Sequence, residues 1–287
     1  MAENIEKLGV LGAGVMGAAI AHTAALHGIS AVCVDLEPSI LEKARARLDQ
    51  LMKERISRGK MAEEEREAVW QRLHFSVDFD AFQEATWIVE AIVEDLEVKK
   101  DAFSRLDAVA PQARLLASNS SSLSITAMAA ATRRPERVLG LHFFNPPQVM
   151  KLVEVVSGLE TSSETLAEGN ALAQRMGRVP VLVKKDRPGY IVNRILMAQF
   201  VEALRLLEEG VASIEDIDTA VKLGLNYPMG PFTLMDFTGN DVNLHVLEYL
   251  FTETGEAHYK PPLVLKNLYI SGRLGRKTGK GFYTYES

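Results

Sequence analysis

The sequence predicts an α/β protein, a doubly wound parallel sheet with an inserted helical hairpin, followed by an all-helical C-terminal domain. Three observations predict it. Short apolar runs alternate with helical stretches from Leu8 to Val183. One stretch, Pro38 to Leu73, carries no strand signal and reads as two helices. Beyond Asp186-Arg187-Pro188-Gly189 the pattern is helical. Repeated strand–helix–strand units argue for a parallel sheet covered on both faces, with right-handed crossovers. The boundary divides the chain into an α/β domain at 1–187 and a helical domain at 188–287.

Leu8 to Leu11 is a brief apolar run that ends in glycines. A small-residue helix, Ala18 to His27, leads to a second run, Ala31 to Asp35. In the hairpin, Leu41, Ala44, Leu48, Leu51 and Met52 recur at helical spacing, Arg58-Gly59-Lys60 forms a turn, and Ala62 to Leu73 is the second helix. Lys43, Arg45, Arg47, Lys53, Arg55, Arg58 and Lys60 decorate it. They read either as a solvated face or as a clamp for an anionic ligand tail. Trp87 to Ala91, Leu115 to Ala117, Val138 to Phe143, Val153 to Val156 and Val179 to Val183 are further strands. The helical domain holds Tyr190 to Glu209, Ile214 to Leu223 and Val242 to Thr252, with Pro and Gly clustered at Tyr227-Pro228-Met229-Gly230-Pro231.

The composition excludes several classes. The 287 residues are 47% hydrophobic and 24% charged, as in soluble globular proteins, with a formal net charge of −6. Such a chain lacks the basic footprint of a nucleic-acid binder. A single cysteine, Cys33, rules out an internal disulfide and a multi-cysteine zinc site, and no other metal site is expected. The start of the chain does not read as a secretory signal, and no run of about 18 apolar residues predicts a membrane span. The expected setting is cytoplasmic.

Gly12-Ala13-Gly14-Val15-Met16-Gly17 is a G-x-G-x-x-G motif that follows a strand and opens a helix. Gly12 permits the tight turn, Gly14 lets the backbone approach a pyrophosphate, and Gly17 lets the helix pack on the strand. The N–H groups around Val15 and Met16 then face the phosphates. Asp35 follows Gly17 by 18 positions, where its carboxylate can accept from ribose hydroxyls and repel a 2′-phosphate. This is the Rossmann arrangement, and it favours NAD over NADP. FAD is the competing ligand, but no second flavin signature is visible.

Ligands of an open α/β sheet bind beyond the carboxyl ends of its strands. Gly12, Asp35, Asn119 and His142 all fall at such ends. In the cluster Ser118-Asn119-Ser120-Ser121-Ser122, a cap for the following helix accounts for Ser122 or Ser124 but not for the whole. In Lys151-Leu152-Val153-Glu154-Val155-Val156, Glu154 shares a strand face with Leu152 and Val156. A carboxylate there needs a partner, unless the strand lies at an exposed edge. His142 is the natural one: a carboxylate on one ring nitrogen fixes the tautomer and leaves the other nitrogen to exchange a proton. Of the remaining histidines, His22 and His27 lie on the first helix, and His74, His245 and His258 show no convergent partner.

At these residues the chain resembles the L-3-hydroxyacyl-CoA dehydrogenase family, almost from end to end. The carriers are the glycine motif, Val89-Glu90-Ala91-Ile92-Val93-Glu94, Ser118 to Ser122, His142-Phe143-Phe144-Asn145-Pro146 and Met150 to Val155. In the second domain they are Pro188 to Arg194, Tyr227 to Pro231 and Lys277-Thr278-Gly279-Lys280-Gly281-Phe282-Tyr283. The resemblance implies His142 as general base, Glu154 as its orienting carboxylate, and Ser121 with Asn193 as substrate-positioning residues. It implies NAD contacts for Glu94, Lys99, Asn145 and Lys277. It assigns the hairpin, with Arg58 at its turn, to the CoA portion of an acyl-CoA, and dimerisation to the helical domain. Ser120 departs from the family's usual Thr but keeps the hydroxyl.

The expected reaction is NAD-dependent interconversion of (3S)-3-hydroxyacyl-CoA, such as 3-hydroxybutyryl-CoA, and 3-oxoacyl-CoA. A same-fold dehydrogenase of a free hydroxy acid such as L-gulonate is the nearest alternative. The Phe143-Phe144 pair and the long hairpin favour the CoA thioester. A non-catalytic NAD-binding sensor is the alternative from another class, and the set His142, Glu154, Ser121 and Asn193 argues against it.

Overall fold

The structure is a computed structural model that describes residues 6–285. The chain forms two compact units, one ending at Asp186 and the other beginning at Arg187.

In the first unit, β1 (Lys7–Leu11), β2 (Ser30–Val34), β3 (Leu73–Ser76), β4 (Trp87–Glu90), β5 (Leu115–Ser118), β6 (Val138–Phe143), β7 (Leu152–Ser157) and β8 (Val179–Val183) form one sheet. Its order is β3-β2-β1-β4-β5-β6-β7-β8. The chain starts in the middle at β1, runs outward to β3, and returns beside β1 as β4. That reversal makes the carboxyl ends of β1 and β4 the switch point of the sheet. The strands read as continuous apolar runs because both faces are covered, and every residue of β4, β5 and β6 is buried.

The covering helices are α1 (Val15–Leu26), α2 (Pro38–Ser57), α3 (Glu63–Arg72), α4 (Leu96–Val109), α5 (Ile125–Ala129) and α6 (Ser163–Arg175). Ala18, Ala21, Ala24 and Ala25 of α1 are fully buried, so its backbone lies close against the sheet. The pair α2 and α3 is the inserted hairpin. Leu41, Ala44, Leu48 and Met52 supply its buried stripe, and Pro38 sits in the first turn, where its missing N–H costs nothing.

Two features differ from the sequence reading. The sheet is not wholly parallel, because β6 and β7 pair antiparallel. Only residues 144–151 connect them, fewer than the dozen or so a parallel crossover requires. Strand β3 begins at Leu73, where the second hairpin helix was expected to end. Its four residues, Leu-His-Phe-Ser, carry almost no strand pattern, and pairing with β2 defines them.

The second unit is helical: α7 (Val192–Glu208), α8 (Ile214–Gly224), α9 (Pro231–Thr238), α10 (Asn240–Thr254) and α11 (Leu263–Ile270). Phe200, Leu204, Phe232, Leu247 and Leu250 form its core. The cluster that reads as a loop before Pro231 is the start signal of α9, with Pro at its first position. Two buried carboxylates organise this unit. Asp218 accepts from the Phe232 and Thr233 N–H groups at 2.8 and 3.0 Å and so caps α9. Asp236 accepts from the N–H groups of Phe282 and Tyr283, both at 2.9 Å, and pins the C-terminal segment. No helix among the described residues is long and apolar enough to cross a membrane.

His22 of α1 is fully buried, and neither ring nitrogen has a hydrogen-bond partner among the described residues. Burial, reinforced by the Arg55 guanidinium, pushes its pKa down to about 4. The unfolded chain protonates such a ring near pH 6.5, so the stability it contributes is full above that value and is lost as the pH falls toward 4. Urea unfolding at pH 7 and pH 5 should therefore show a loss of about 2 kcal/mol in the wild type that His22→Leu lacks. Equal pH dependence in the two proteins would contradict this assignment.

Candidate active site

The glycine turn closes the end of β1. Gly12 has φ +97°, and a Cβ there would lie 2.6 Å from the Ala91 carbonyl oxygen. At Gly17 a Cβ would meet the Gly12 carbonyl oxygen at 1.9 Å, so only glycine lets α1 start this close to the strand. Gly14 is different: a Cβ would meet nothing within 4 Å among the described residues. Its surroundings are open space on the wall of a cavity of about 630 Å³. Gly12, Asp35, Ala91, Val93 and Ala102 line the same cavity. Among the described residues no side chain caps α1, so its leading N–H groups and the positive end of its dipole are left for an anion.

Asp35 sits at the cavity just after β2. Its Oδ2 accepts from the Ala13 N–H at 2.8 Å and its Oδ1 from the Glu37 N–H at 3.2 Å. The carboxylate is thereby fixed against the glycine turn, with lone pairs left to accept from ribose hydroxyls. Open space at Gly14, an uncapped helix start and a carboxylate on one cavity fit NAD. The apolar side chains of Ile40, Phe79 and Val98 on the same wall suit an adenine ring. Arg47 of α2, which the sequence reading left among the hairpin charges, donates to the Gly14 carbonyl at 3.1 Å and brings a positive charge to the turn.

His142 and Glu154 stand directly opposite each other in the antiparallel β6–β7 register. Opposed residues in such a pair share a face. His142 Nδ1 lies 2.7 Å from Glu154 Oε2. Both are almost fully buried, at 6% and 1% exposure. β7 lies between β6 and β8, so Glu154 is an interior residue and not an edge one. The Phe144 ring leans on the imidazole, centroid to centroid 4.4 Å, and limits its rotation.

The serine-rich loop after β5 is wired to its neighbours. Asn119 accepts from the Phe143 N–H at 2.9 Å through Oδ1, which ties the ends of β5 and β6. Ser124, rather than Ser122, caps α5 by accepting from the Ala127 N–H. Ser121 is half-buried, and its N–H points to Glu94 Oε1 at 3.3 Å. Lys99 is 1% exposed, with its ammonium between Glu90 and Glu94. Glu90, fully buried at the end of β4, is a participant that sequence reasoning missed. An acidic residue closing the apolar run Trp87-Ile88-Val89 was the available signal. Asn145 is exposed in the loop after β6.

Of the hairpin cations, Arg45 lies over the Trp70 ring at 5.3 Å and Lys53 pairs with Asp49 at 2.7 Å. Arg58, at the end of α2, is exposed, as are Lys43 and Lys60. Within the second unit, Asn193 lies in the first turn of α7, just after a left-handed bend at Gly189 and Tyr190 (φ +74° and +47°). Lys277 Nζ is held by Asp241 Oδ2 at 2.6 Å. Burial works against the Asp241 charge, yet the ammonium holds that carboxyl below its usual value. No cluster of metal-ligating side chains occurs among the described residues.

Comparison with known proteins covers both units. Residues 7–187 match the 3-hydroxyacyl-CoA dehydrogenase NAD binding domain, and residues 189–285 match the C-terminal domain of the same family. The chain is 39% identical to a 3-hydroxybutyryl-CoA dehydrogenase of Mycobacterium tuberculosis over 287 residues, covering 99% of this chain and 100% of that protein. It is 43% identical to the 3-hydroxyadipyl-CoA dehydrogenase of Escherichia coli over 285 residues, 99% of this chain and 60% of that longer protein. The crystal structure of (S)-3-hydroxybutyryl-CoA dehydrogenase from Ralstonia eutropha superposes with a TM-score of 0.95 at 38% identity, covering 99% and 100% of the two chains.

The two glycines separate folding from binding. Gly14→Ala should melt within a few degrees of the wild type, because its Cβ meets nothing, yet bind NADH at least tenfold more weakly in a fluorescence titration. Gly17→Ala should lose about 2 kcal/mol or more of stability, since the steric conflict lies inside the fold. Unimpaired NADH binding by folded Gly14→Ala would remove the turn from the phosphate site.

Proposed function

The chain belongs to the 3-hydroxyacyl-CoA dehydrogenase family, and we propose that His142 and Glu154 handle the proton of the reaction its members catalyse. The protein is an NAD-dependent 3-hydroxyacyl-CoA dehydrogenase. It interconverts (3S)-3-hydroxyacyl-CoA + NAD⁺ and 3-oxoacyl-CoA + NADH + H⁺. The observation that carries the proposal is the 2.7 Å contact between His142 Nδ1 and Glu154 Oε2 at the carboxyl end of β6.

Bound NAD supplies the hydride acceptor. Nδ1 of His142 is committed to the carboxylate, so Nε2 is the atom that takes the proton of the 3-hydroxyl. Glu154 holds the ring in the tautomer this requires and stabilises the imidazolium that results. In the reductive direction the same imidazolium returns the proton to the 3-oxo oxygen. Ser121 and Asn193 orient the substrate oxygen. Gly12, Gly14, Val15, Met16 and Gly17 hold the pyrophosphate, Asp35 the adenosine ribose, and Glu94, Asn119, Asn145 and Lys277 the remainder of the cofactor. Lys99 serves that group through Glu94.

The hairpin embraces the CoA portion, with Arg58 among its anion contacts. The acyl chain is short, a reading supported by the hydroxybutyryl and hydroxyadipyl names of the relatives. The helical unit joins two copies into a homodimer.

His142→Gln should lower kcat by about 10²–10⁴ in an NADH-coupled absorbance assay with acetoacetyl-CoA, while NADH binding is kept. Glu154→Gln should also depress turnover and alter its pH dependence. A His142→Gln variant with normal turnover would remove the ring from its role. Asp35 sets the cofactor choice, so NADPH should be used far less well than NADH, and equal use would contradict that assignment.

A further inference from the structure

Between the cofactor cavity and the serine loop lies a buried chain of polar groups. Glu90 closes β4 and is fully buried. Its carboxylate accepts from the Ile92 N–H at 2.7 Å, from Lys99 Nζ at 2.5 Å and from Ser118 Oγ at 2.7 Å. Lys99 reaches on to Glu94 Oε2 at 3.3 Å. Glu94 Oε1 in turn accepts from Ser120 Oγ at 2.5 Å and from the Ser121 N–H at 3.3 Å. A second branch runs from Glu90 through Ser118, whose hydroxyl oxygen accepts from the Ser120 N–H at 3.1 Å. Ser120 Oγ then accepts from the Leu123 N–H at 2.9 Å.

Both branches begin at Glu90 and end on the backbone that carries Ser121. We propose that Glu90 and Lys99 are positioning residues for that segment, acting through Glu94 and Ser120, and that they set the placement of Ser121 toward the acyl-CoA. This rests on the reading above that Ser121 orients the substrate. Taking a carboxylate and an ammonium out of water is unfavourable, and an apolar pair of similar size would hold a strand end to a helix as well or better. The strand needs no charge here: Trp87, Ile88 and Val89 are apolar and buried. What the ion pair adds is direction. It fixes Lys99, which fixes Glu94, a side chain that stays 43% exposed at the open end of the chain and grips the loop. A directional hydrogen-bonded network specifies its arrangement more narrowly than an apolar contact does.

The test uses the full-length enzyme with acetoacetyl-CoA and NADH. Ser120→Ala removes the hydroxyl that joins Glu94 to the loop. It should raise the KM for acetoacetyl-CoA about tenfold, a larger change than in NADH affinity, and lower the melting temperature by only a few degrees, the cost of unpairing the buried Leu123 N–H. Ser120→Thr keeps the hydroxyl and should restore KM to within threefold. Glu90→Gln should move KM in the same direction, and the double variant with Ser120→Ala should lose less than the product of the two single losses, because both act on the one loop segment. If Glu90→Gln does not fold, the Ser120→Ala and Ser120→Thr pair decides alone. A folded Ser120→Ala with wild-type KM and kcat, or losses that multiply in the double variant, would overturn the inference. Wild-type enzyme inactive on acetoacetyl-CoA would overturn the functional reading beneath it, a result separable from any behaviour of the variants.

Discussion

The antiparallel pairing of β6 with β7 is the constraint on which the site depends. In a parallel sheet, neighbouring strands point their carboxyl ends the same way, and a following helix separates them in sequence. Here eight residues turn the chain back, and the register sets His142 against Glu154. The pair sits inside the sheet, with β5 beside β6 and β8 beside β7. Its geometry therefore follows from backbone hydrogen bonds and does not depend on a loop. A slip of one residue in that register would move Glu154 to the other face and leave a buried carboxylate without its imidazole.

Charge at the strand ends follows a common logic. Asp35, Glu90 and Glu154 lie at or near the ligand-binding edge of the sheet, and each is held by donors that the fold supplies. Asp35 takes the Ala13 and Glu37 N–H groups, Glu90 takes Lys99, Ser118 and the Ile92 N–H, and Glu154 takes the histidine. A buried carboxylate without such partners would cost several kcal/mol or be protonated. Gly12 and Gly17 permit the backbone approach that brings these groups together, whereas Gly14 leaves space that the fold itself does not need.

Much of this was legible in the sequence, for identifiable reasons. The glycine motif and Asp35 are local features whose spacing encodes strand, turn, helix and strand. Glu154 could be paired with His142 because alternation put a carboxylate on an apolar face, where it demanded a partner. Strand direction was less accessible: the apolar run at Leu152 looks the same whether the strand is parallel or antiparallel, and only the length of the 144–151 connection carries the information. β3 has four residues and no alternation, so tertiary pairing alone defines it. The Glu90–Lys99 pair joins a strand end to a helix and converges with Ser118 and Ser120 only in the folded chain. The family resemblance implied a cofactor contact for Lys99, not its burial.

The central claim is that Glu154 holds His142 with its proton on Nδ1 and presents Nε2 to the substrate. ¹⁵N NMR of histidine-labelled enzyme, with the His142 resonances assigned by difference against His142→Gln, reads the tautomer directly once the ring is neutral. The account requires the Nδ1–H form in the wild type. A neutral His142 carrying its proton on Nε2 would contradict it.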